Sequence, residues 1–521
     1  MAQGARRHAL LRNTSFSFVQ QSSAMVLAIL LVPYMLWMLG PERYGLWLTL
    51  QLFNIIGLSY LAELGFQGAI VRFLARFEAE GDRAAFRGIL SGGFYLFVLI
   101  GLVMAAGVIA FAQSGFVDLF PVPPAYREEM RLALTVIGAG LLIGFPGLVI
   151  KAYFAGRQQL ATTKVWEFLD RLIFAAGVFV LLQTTTDLVA LILFEQLLGL
   201  VLTIAFALVA WRGSGGWFSL RPGLSAQGHF RGLTRMSGPV FASNLVSQGF
   251  NRLPELFVSA LLGPVMLTAY QLSTRIPRVI KTLQGSLNAA VLPHIAGLDA
   301  GGDVEEREGR RAGFAVKGLR ANYLVATPLL VGAAVFAPVL LELWVGEQYR
   351  HLAGYMAAFS AFQGLFLASN YCSATLTRQE HFRLFVRVNL ALVIAFVAAL
   401  AIGLERWGLG FVFGALVISG AAMFVCTLIV FRLAHGVRIA ALMRAALLGP
   451  VCLSSLLGAV LLGPAAAALS QQSWIIGAAA LAIGGLLYTG ALWRFVLTGA
   501  EREQLTVFLA KASRFGRKAH V

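Results

Sequence analysis

Charged residues are scarce in this chain. Asp, Glu, Lys and Arg make up 12% of its 521 residues, about half the 25% or so that a soluble protein carries. A soluble surface needs charge however large the core beneath it, so the deficit excludes an ordinary globular domain and fits a surface that faces lipid. Acids are the scarcer sign, with 24 Asp+Glu against 41 Lys+Arg and a net charge of +17. The cations fall in short clusters between apolar runs instead of gathering on one exposed face, which argues against a nucleic-acid partner. Cysteine is nearly absent: Cys372, Cys426 and Cys452 all lie inside apolar runs, so no disulfide framework is implied. His8, His229, His294, His351, His381, His435 and His520 are scattered and never fall at metal-ligand spacing. No G-x-x-x-x-G-K-[ST] loop is present, which excludes ATP hydrolysis by this chain. Neither a metal nor a cofactor is expected.

What fills the chain is apolar: 59% hydrophobic residues. A membrane helix needs about 20 mostly apolar residues. Runs of that kind fall at 15–39, 44–65, 88–112, 131–153, 165–184, 187–210, 235–262, 266–294, 319–343, 352–375, 384–404, 407–431, 440–465 and 473–497, numbered here as spans 1 to 14. The first is too long for a signal-peptide core and lacks a small-x-small cleavage site, so it is expected to be retained. With both termini cytoplasmic, the external loops hold only Arg43, Arg127, Arg131, Arg350 and Arg406. Most remaining cations lie on the cytoplasmic side, as the positive-inside rule requires. Losing one span would reverse every later loop, so the alternation supports an even count of about fourteen.

An internal repeat organises these spans. LGPERYGLW at 39–47 aligns with LGPVMLTAY at 262–270, an offset of 223 residues. GRQQ at 156–159 aligns with TRQE at 377–380, an offset of 221. Six helices per repeat put both halves in the membrane the same way up, so the repeats are parallel, related by an axis along the membrane normal. The expected fold is an all-α polytopic membrane protein. It comprises a six-helix bundle at 1–210, a cytoplasmic linker at 211–234 that is flexible in composition, and a second bundle at 235–435. Two extra helices at 436–498 and a basic tail at 499–521 follow. In the tail, Leu505, Phe508, Leu509 and Ala512 share one face, with Lys511, Arg514, Arg517 and Lys518 around it. The pattern suits a helix lying on anionic lipid and equally a solvated tail.

Polar residues inside the spans are the candidate site. Span 7 carries Asn244, Gln248, Asn251, Arg252 and Glu255 on one helix face, and span 8 carries Gln271, Arg275, Arg278 and Thr282 with Lys281 beside them. Arg252 and Arg275 lie 11 to 12 residues from the Gly263–Pro264 turn, or roughly 17 Å along a helix, which is mid-membrane. Four cations facing lipid would cost on the order of 10 kcal/mol, so they are expected to face a watery cavity or partners. Glu255 offsets only one, leaving a net-positive site. Buried interhelical pairs that merely hold the bundle together are the competing reading. The first half offers Gln20 and Gln21 in span 1, Asn54 and Glu63 in span 2, and Glu195 and Gln196 in span 6. Glu63 and Glu195 are candidates for proton or cation coupling, with Glu255 a third. Alternatively, Glu63 ends span 2 by pairing with Arg72. Asn54, Gln20 and Gln21 either line a cavity or join helices. A cavity positive in its second half and hydroxyl-binding in its first suits an amphiphile with a pyrophosphate head, since Arg grips phosphate oxygens as a fork.

LGPERYGLW, the ELG at 63–65, AIVRFLAR at 69–76 and GRQQ together resemble the polysaccharide-transporter family. These are bacterial lipid-linked oligosaccharide flippases of the O-antigen (Wzx) type, within the multidrug/oligosaccharidyl-lipid/polysaccharide exporter superfamily. The resemblance covers residues 10–435, with its specific motifs in the first 90. It implies two six-helix bundles around a V-shaped cavity and alternating access in the bacterial inner membrane. The implied cargo is an undecaprenyl-pyrophosphate-linked glycan. The family often has aspartate where this chain has Glu63. Other expected partners are membrane lipids, an ion gradient and further polysaccharide-assembly proteins. Two relatives compete: a lipid II flippase, favoured by fourteen spans, and a cation-coupled multidrug exporter, disfavoured because four cations repel cationic drugs. A membrane-embedded glycan polymerase or acyltransferase needs reactive groups in its loops. The external loops here are short and poor in His, Asp and Glu.

Overall fold

The computed structural model describes residues 27, 29–55, 57–58, 66–221, 249–297, 304–376, 379–470, 474–499, 501–503 and 506. Among these the chain is helical throughout, with no strand. Seven of the described helices are long and apolar enough to cross a membrane: Arg83–Ser114, Pro124–Gly156, Leu188–Gly213, Ala312–Val335, Glu347–Cys372, Glu380–His435 and Leu447–Pro464. Span 5, helix Leu160–Leu181, and span 8, helix Pro264–Gly297, are comparably long but carry charged residues in their midst. Their charges set them apart from an ordinary lipid-spanning segment. Gln20, Gln21, Glu63, Asn244 and Gln248, together with most of the tail, lie outside the described residues.

The described residues fall into two compact units. One comprises Met1–Tyr270 with Val397–Leu409, and the other Gln271–Phe396 with Gly410–Val521. In the first, helix Arg127–Gly156 is central and its glycines explain why. A Cβ on Gly101 of span 3 would meet the Leu141 carbonyl at 3.0 Å, one on Gly138 would meet Ile109 at 2.6 Å, and one on Gly147 would meet Thr203 at 3.2 Å. Such small residues let helix backbones approach where lipid supplies no hydrophobic drive. The outer faces are apolar instead of charged: Leu193, Leu197, Val201, Ile204 and Leu208 form an exposed stripe along span 6. Asp82 caps span 3 by accepting a hydrogen bond from the Ala85 N–H at 2.9 Å. The start of the linker, for all its Gly and Ser, is fastened to that same helix. Trp217 meets Phe86 edge-on at 5.0 Å and lies under Arg83 at 5.4 Å, while the Ser91 and Tyr95 hydroxyls donate to the Arg221 and Leu220 carbonyls.

The aligned LGP segments fold alike. Gly40 (φ +73°) and Gly263 (φ +85°) both adopt the left-handed conformation that favours glycine, each just before a proline. The two turns also touch. The Thr268 hydroxyl donates to the Pro41 carbonyl at 2.8 Å. At the position equivalent to Thr268 in the repeat, Gly45 lies so close to the Pro264 carbonyl that a Cβ there would collide with it. The Thr49 and Ser259 hydroxyls share a 2.7 Å hydrogen bond nearby. This exchange of equivalent contacts is what two parallel repeats related by a pseudo-two-fold axis produce.

The second unit packs around span 9, where Leu319, Tyr323, Ala326 and Leu330 place one stripe into a core shared with Leu367, Tyr371, Phe385, Leu428 and Leu447. Span 13 starts with a π-helical stretch at Met443–Leu453 around Pro450 and continues as Ser454–Ser470. Gly458 lets it lie directly against Val331 of span 9, and the Ser454 hydroxyl meets the Tyr488 hydroxyl of span 14 at 2.7 Å. Arg320 ties the end of span 14 to span 9. It donates to the Val496 carbonyl at 2.6 Å and to Glu501 at 2.7 Å. Burial pushes the Glu501 carboxyl up, but hydrogen bonds from Arg320 and Thr498 outweigh it and hold the group below the usual carboxylate value. A depressed carboxylate stabilises its contact above its unfolded pKa and loses that contribution as pH falls through the folded one. Hydrogen-exchange protection factors around 496–503, that is, the intrinsic rate at each pH divided by the observed rate, are therefore expected to fall on acidification below the ordinary glutamate range. Glu501→Gln should show the lower protection at neutral pH too, with little further change in protection factor as pH falls.

Candidate functional site

Three groups of the predicted residues acquire definite surroundings. The first is built on a break in span 2. After Gln51 the helix opens at Leu52–Asn54 and resumes at Ile55. Inside hydrocarbon such a break is tolerated only where the freed backbone groups find partners or line a cavity. Here Asn54 provides one: its Oδ1 accepts the Ile55 N–H at 2.7 Å, at the start of the resumed helix. Its Nδ2 donates to Glu195 Oε1 at 2.8 Å and Gln51 Oε1 at 3.0 Å. Gln51 Nε2 donates to the other carboxylate oxygen at 2.7 Å, and Gln196 Nε2 reaches Asn54 Oδ1 at 3.4 Å. Gly57 and Gly140 make room. A side chain at Gly57 would strike the Leu52 carbonyl, and one at Gly140 would strike the Gln196 amide. Asn54 and Glu195, separate candidates in the sequence, thus belong to one cluster.

The second group is Arg252 with Glu255, 3.3 Å apart on one face of the helix at 249–262. Glu255 is 1% exposed and Arg252 is 37%, so the acid is the buried member and the guanidinium the accessible one. Asn251 lies beside them on this helix. The third group lies in the other unit, on helix Pro264–Gly297. Arg275, Arg278 and Lys281 are half-buried there. The Arg278 guanidinium sits over the Phe359 ring at 5.6 Å and the Lys281 ammonium over Phe366 at 4.7 Å. The four cations read together in the sequence are therefore divided, with Arg252 in one compact unit and the other three in the second.

Sequence reasoning missed Gln51, whose only signal is its i, i+3 spacing to Asn54. It also missed Lys151, which passes in the sequence for a basic residue at the end of span 4 but lies over the Trp166 ring at 5.1 Å. Phe359 and Phe366 read as ordinary apolar residues of span 10. Among the described residues no group of three or more His, Cys, Asp or Glu side chains is arranged to hold a metal ion.

The fold has solved counterparts. A structure of the lipid II flippase MurJ in an inward closed conformation is 12% identical, with 92% of this chain and 98% of that one covered and a TM-score of 0.67. An inward-facing multidrug resistance MATE family transporter of the MOP superfamily is 15% identical over 82% and 99% of the two chains, with a TM-score of 0.60. A MOP superfamily transporter from Pyrococcus furiosus, described as having a binding pocket of reversed polarity, is 16% identical over 83% and 96%, with a TM-score of 0.52. The architecture is that of the MOP transporters. A search of the curated proteins finds no match. The profile of the family described as polysaccharide biosynthesis protein matches residues 10–298, and the chain belongs to that family.

The Glu195 cluster yields a direct check. Glu195→Gln keeps the shape but sets an amide NH2 against one of two donors. Losing a buried hydrogen bond to a charged group costs about 2 kcal/mol. Thermal unfolding in detergent should show lower stability for Glu195→Gln, a further drop for Glu195→Ala, and a loss for Gly140→Ala through displaced Gln196. A Glu195→Ala protein as stable as the wild type would mean the cluster contributes nothing to the fold.

Proposed function

We propose that this protein is a flippase that moves a polyprenyl-pyrophosphate-linked oligosaccharide from the cytoplasmic to the outer leaflet of the bacterial inner membrane. The observation that carries the reading is the set Arg275, Arg278 and Lys281 on one membrane helix of a polysaccharide-biosynthesis family member. Cations at that depth are costly and suit a multiply charged phosphate head, while the polyprenyl tail stays in lipid. Arg252 adds a fourth cation, tempered by Glu255. Asn54 and Asn251, with Gln20, Gln21, Asn244 and Gln248, are assigned to the hydroxyl-rich glycan. Glu195, Glu63 and Glu255 are the candidates for coupling to a proton or sodium gradient. The protein acts as a transporter in this scheme, working beside other polysaccharide-assembly proteins and itself making no bond.

A second reading, a lipid II flippase, is favoured by the coverage of nearly the whole MurJ chain. Both readings meet the same test. The purified chain is reconstituted in vesicles with a fluorescent undecaprenyl-pyrophosphate oligosaccharide or with lipid II, and outer-leaflet exposure is followed over time. The expected result is transport of the oligosaccharide lipid. Replacing Arg252, Arg275, Arg278 and Lys281 together by Gln should slow it at least tenfold at unchanged protein level. Transport at the full rate by that variant would remove the cation site. Preference for lipid II would select the second reading.

A further inference from the structure

Arg278 and Lys281 rest on aromatic faces, and those rings form part of a continuous column. Phe359, Phe362 and Phe366 follow i, i+3, i+7 spacing along helix Ala353–Thr375, so they share one face. Successive ring centroids lie 5.6 and 5.5 Å apart. At the other end Phe359 meets Phe413 edge-on at 6.4 Å, and Tyr355 stacks on Phe413 at 4.9 Å. Gly420 backs the middle ring, where a Cβ would come within 2.9 Å of Phe362. The cations follow the order of the rings, Arg278 over Phe359 and Lys281 over Phe366. Phe359, Phe362 and Phe366 are each at most 2% exposed. They lie behind the cations and cannot be a surface on which cargo rests.

A ring face attracts a cation through its quadrupole, and unlike a carboxylate it brings no negative charge. An acid in the same place would repel each incoming phosphate and compete for the cation. A phenyl ring helps hold the cation in position and adds no negative charge of its own. We infer that Phe359 and Phe366 are positioning residues for a diphosphate-binding pair, Arg278 and Lys281, and that the aromatic column sets the selectivity of that pair for diphosphate over monophosphate. The inference rests on the proposed anionic cargo and adds what tunes the site. The ring contacts are weak and uncharged, which lets the cations pass to the phosphates and return when cargo leaves. Selectivity follows from geometry, because two cations held one helical turn apart reward a second phosphate that a single one does not.

The test uses the full chain in nanodiscs with farnesyl pyrophosphate and farnesyl monophosphate as probes, binding being measured by calorimetry. Phe366 is replaced by phenylalanine carrying one, two or three fluorine atoms, which drains the ring face at nearly constant volume. The wild type is expected to prefer the diphosphate. Diphosphate affinity should then fall stepwise with fluorine number, by roughly 3- to 10-fold over the series, with monophosphate affinity changing less. Phe366→Leu should resemble the trifluoro protein, and Phe366→Glu should erase the preference. Unfolding temperature, which is expected to hold across the fluorine series, separates misfolding from the electrical effect. A binding preference that ignores fluorine number would overturn the role of the rings while leaving the cation site intact. Absence of diphosphate binding by the wild type would instead remove the proposed cargo on which the inference rests.

Discussion

A charge placed in hydrocarbon must find a partner, and that constraint shapes every distinctive part of this molecule. The chain meets it in three ways. Glu195 is met by amide donors, Gln51 and Asn54, at a helix break. Glu255 is met by an adjacent cation, Arg252. Arg278 and Lys281 are met by ring faces. These solutions differ in what they leave behind. Amide donors and ring faces bring no opposite charge of their own to the acid or the cations they meet. An ion pair cancels. In the proposed transport scheme, sites of the first two kinds are the ones suited to charged cargo or a coupling ion.

The close helix approaches serve the same end. Glycines 138, 140 and 147 bring span 4 against its neighbours, and Gly140 in particular leaves the space that the Gln196 amide occupies. Repeat symmetry appears at the Gly40 and Gly263 turns, where equivalent residues exchange contacts. Spans 13 and 14 are joined to the second unit by Gly458 on Val331 and by the Arg320–Glu501 pair. They are thereby made part of that unit and are not a loose appendage.

Much of this was legible in the sequence, for reasons that can be named. The apolar runs and the alternation of basic loops reported a multi-pass helical protein, because lipid imposes composition directly. The LGP repeat was legible because a left-handed residue before proline selects glycine in both copies. The one-face spacing of Arg252 with Glu255, and of Arg275 with Arg278, reported helix geometry. Contacts between distant spans were not legible. Nothing in the sequence links Asn54 to Glu195, 141 residues apart, nor marks Phe359 and Phe366 among the other phenylalanines of an apolar run. The break at Leu52–Asn54 left a trace only in Asn54 and Gly57, and glycine is common in membrane helices for other reasons. The division of the four cations between two compact units was equally hidden, since it depends on tertiary packing.

The central claim is that the intramembrane cations hold a lipid diphosphate. Native mass spectrometry of the chain taken directly from its own membrane tests it most directly, because no cargo has to be chosen in advance. The account predicts a bound polyprenyl-diphosphate glycan on the wild-type protein. It also predicts its loss, with ordinary phospholipid retained, when Arg275, Arg278 and Lys281 are replaced by Gln. A wild-type spectrum showing phospholipid alone, or a glycolipid equally abundant on the triple variant, would contradict it.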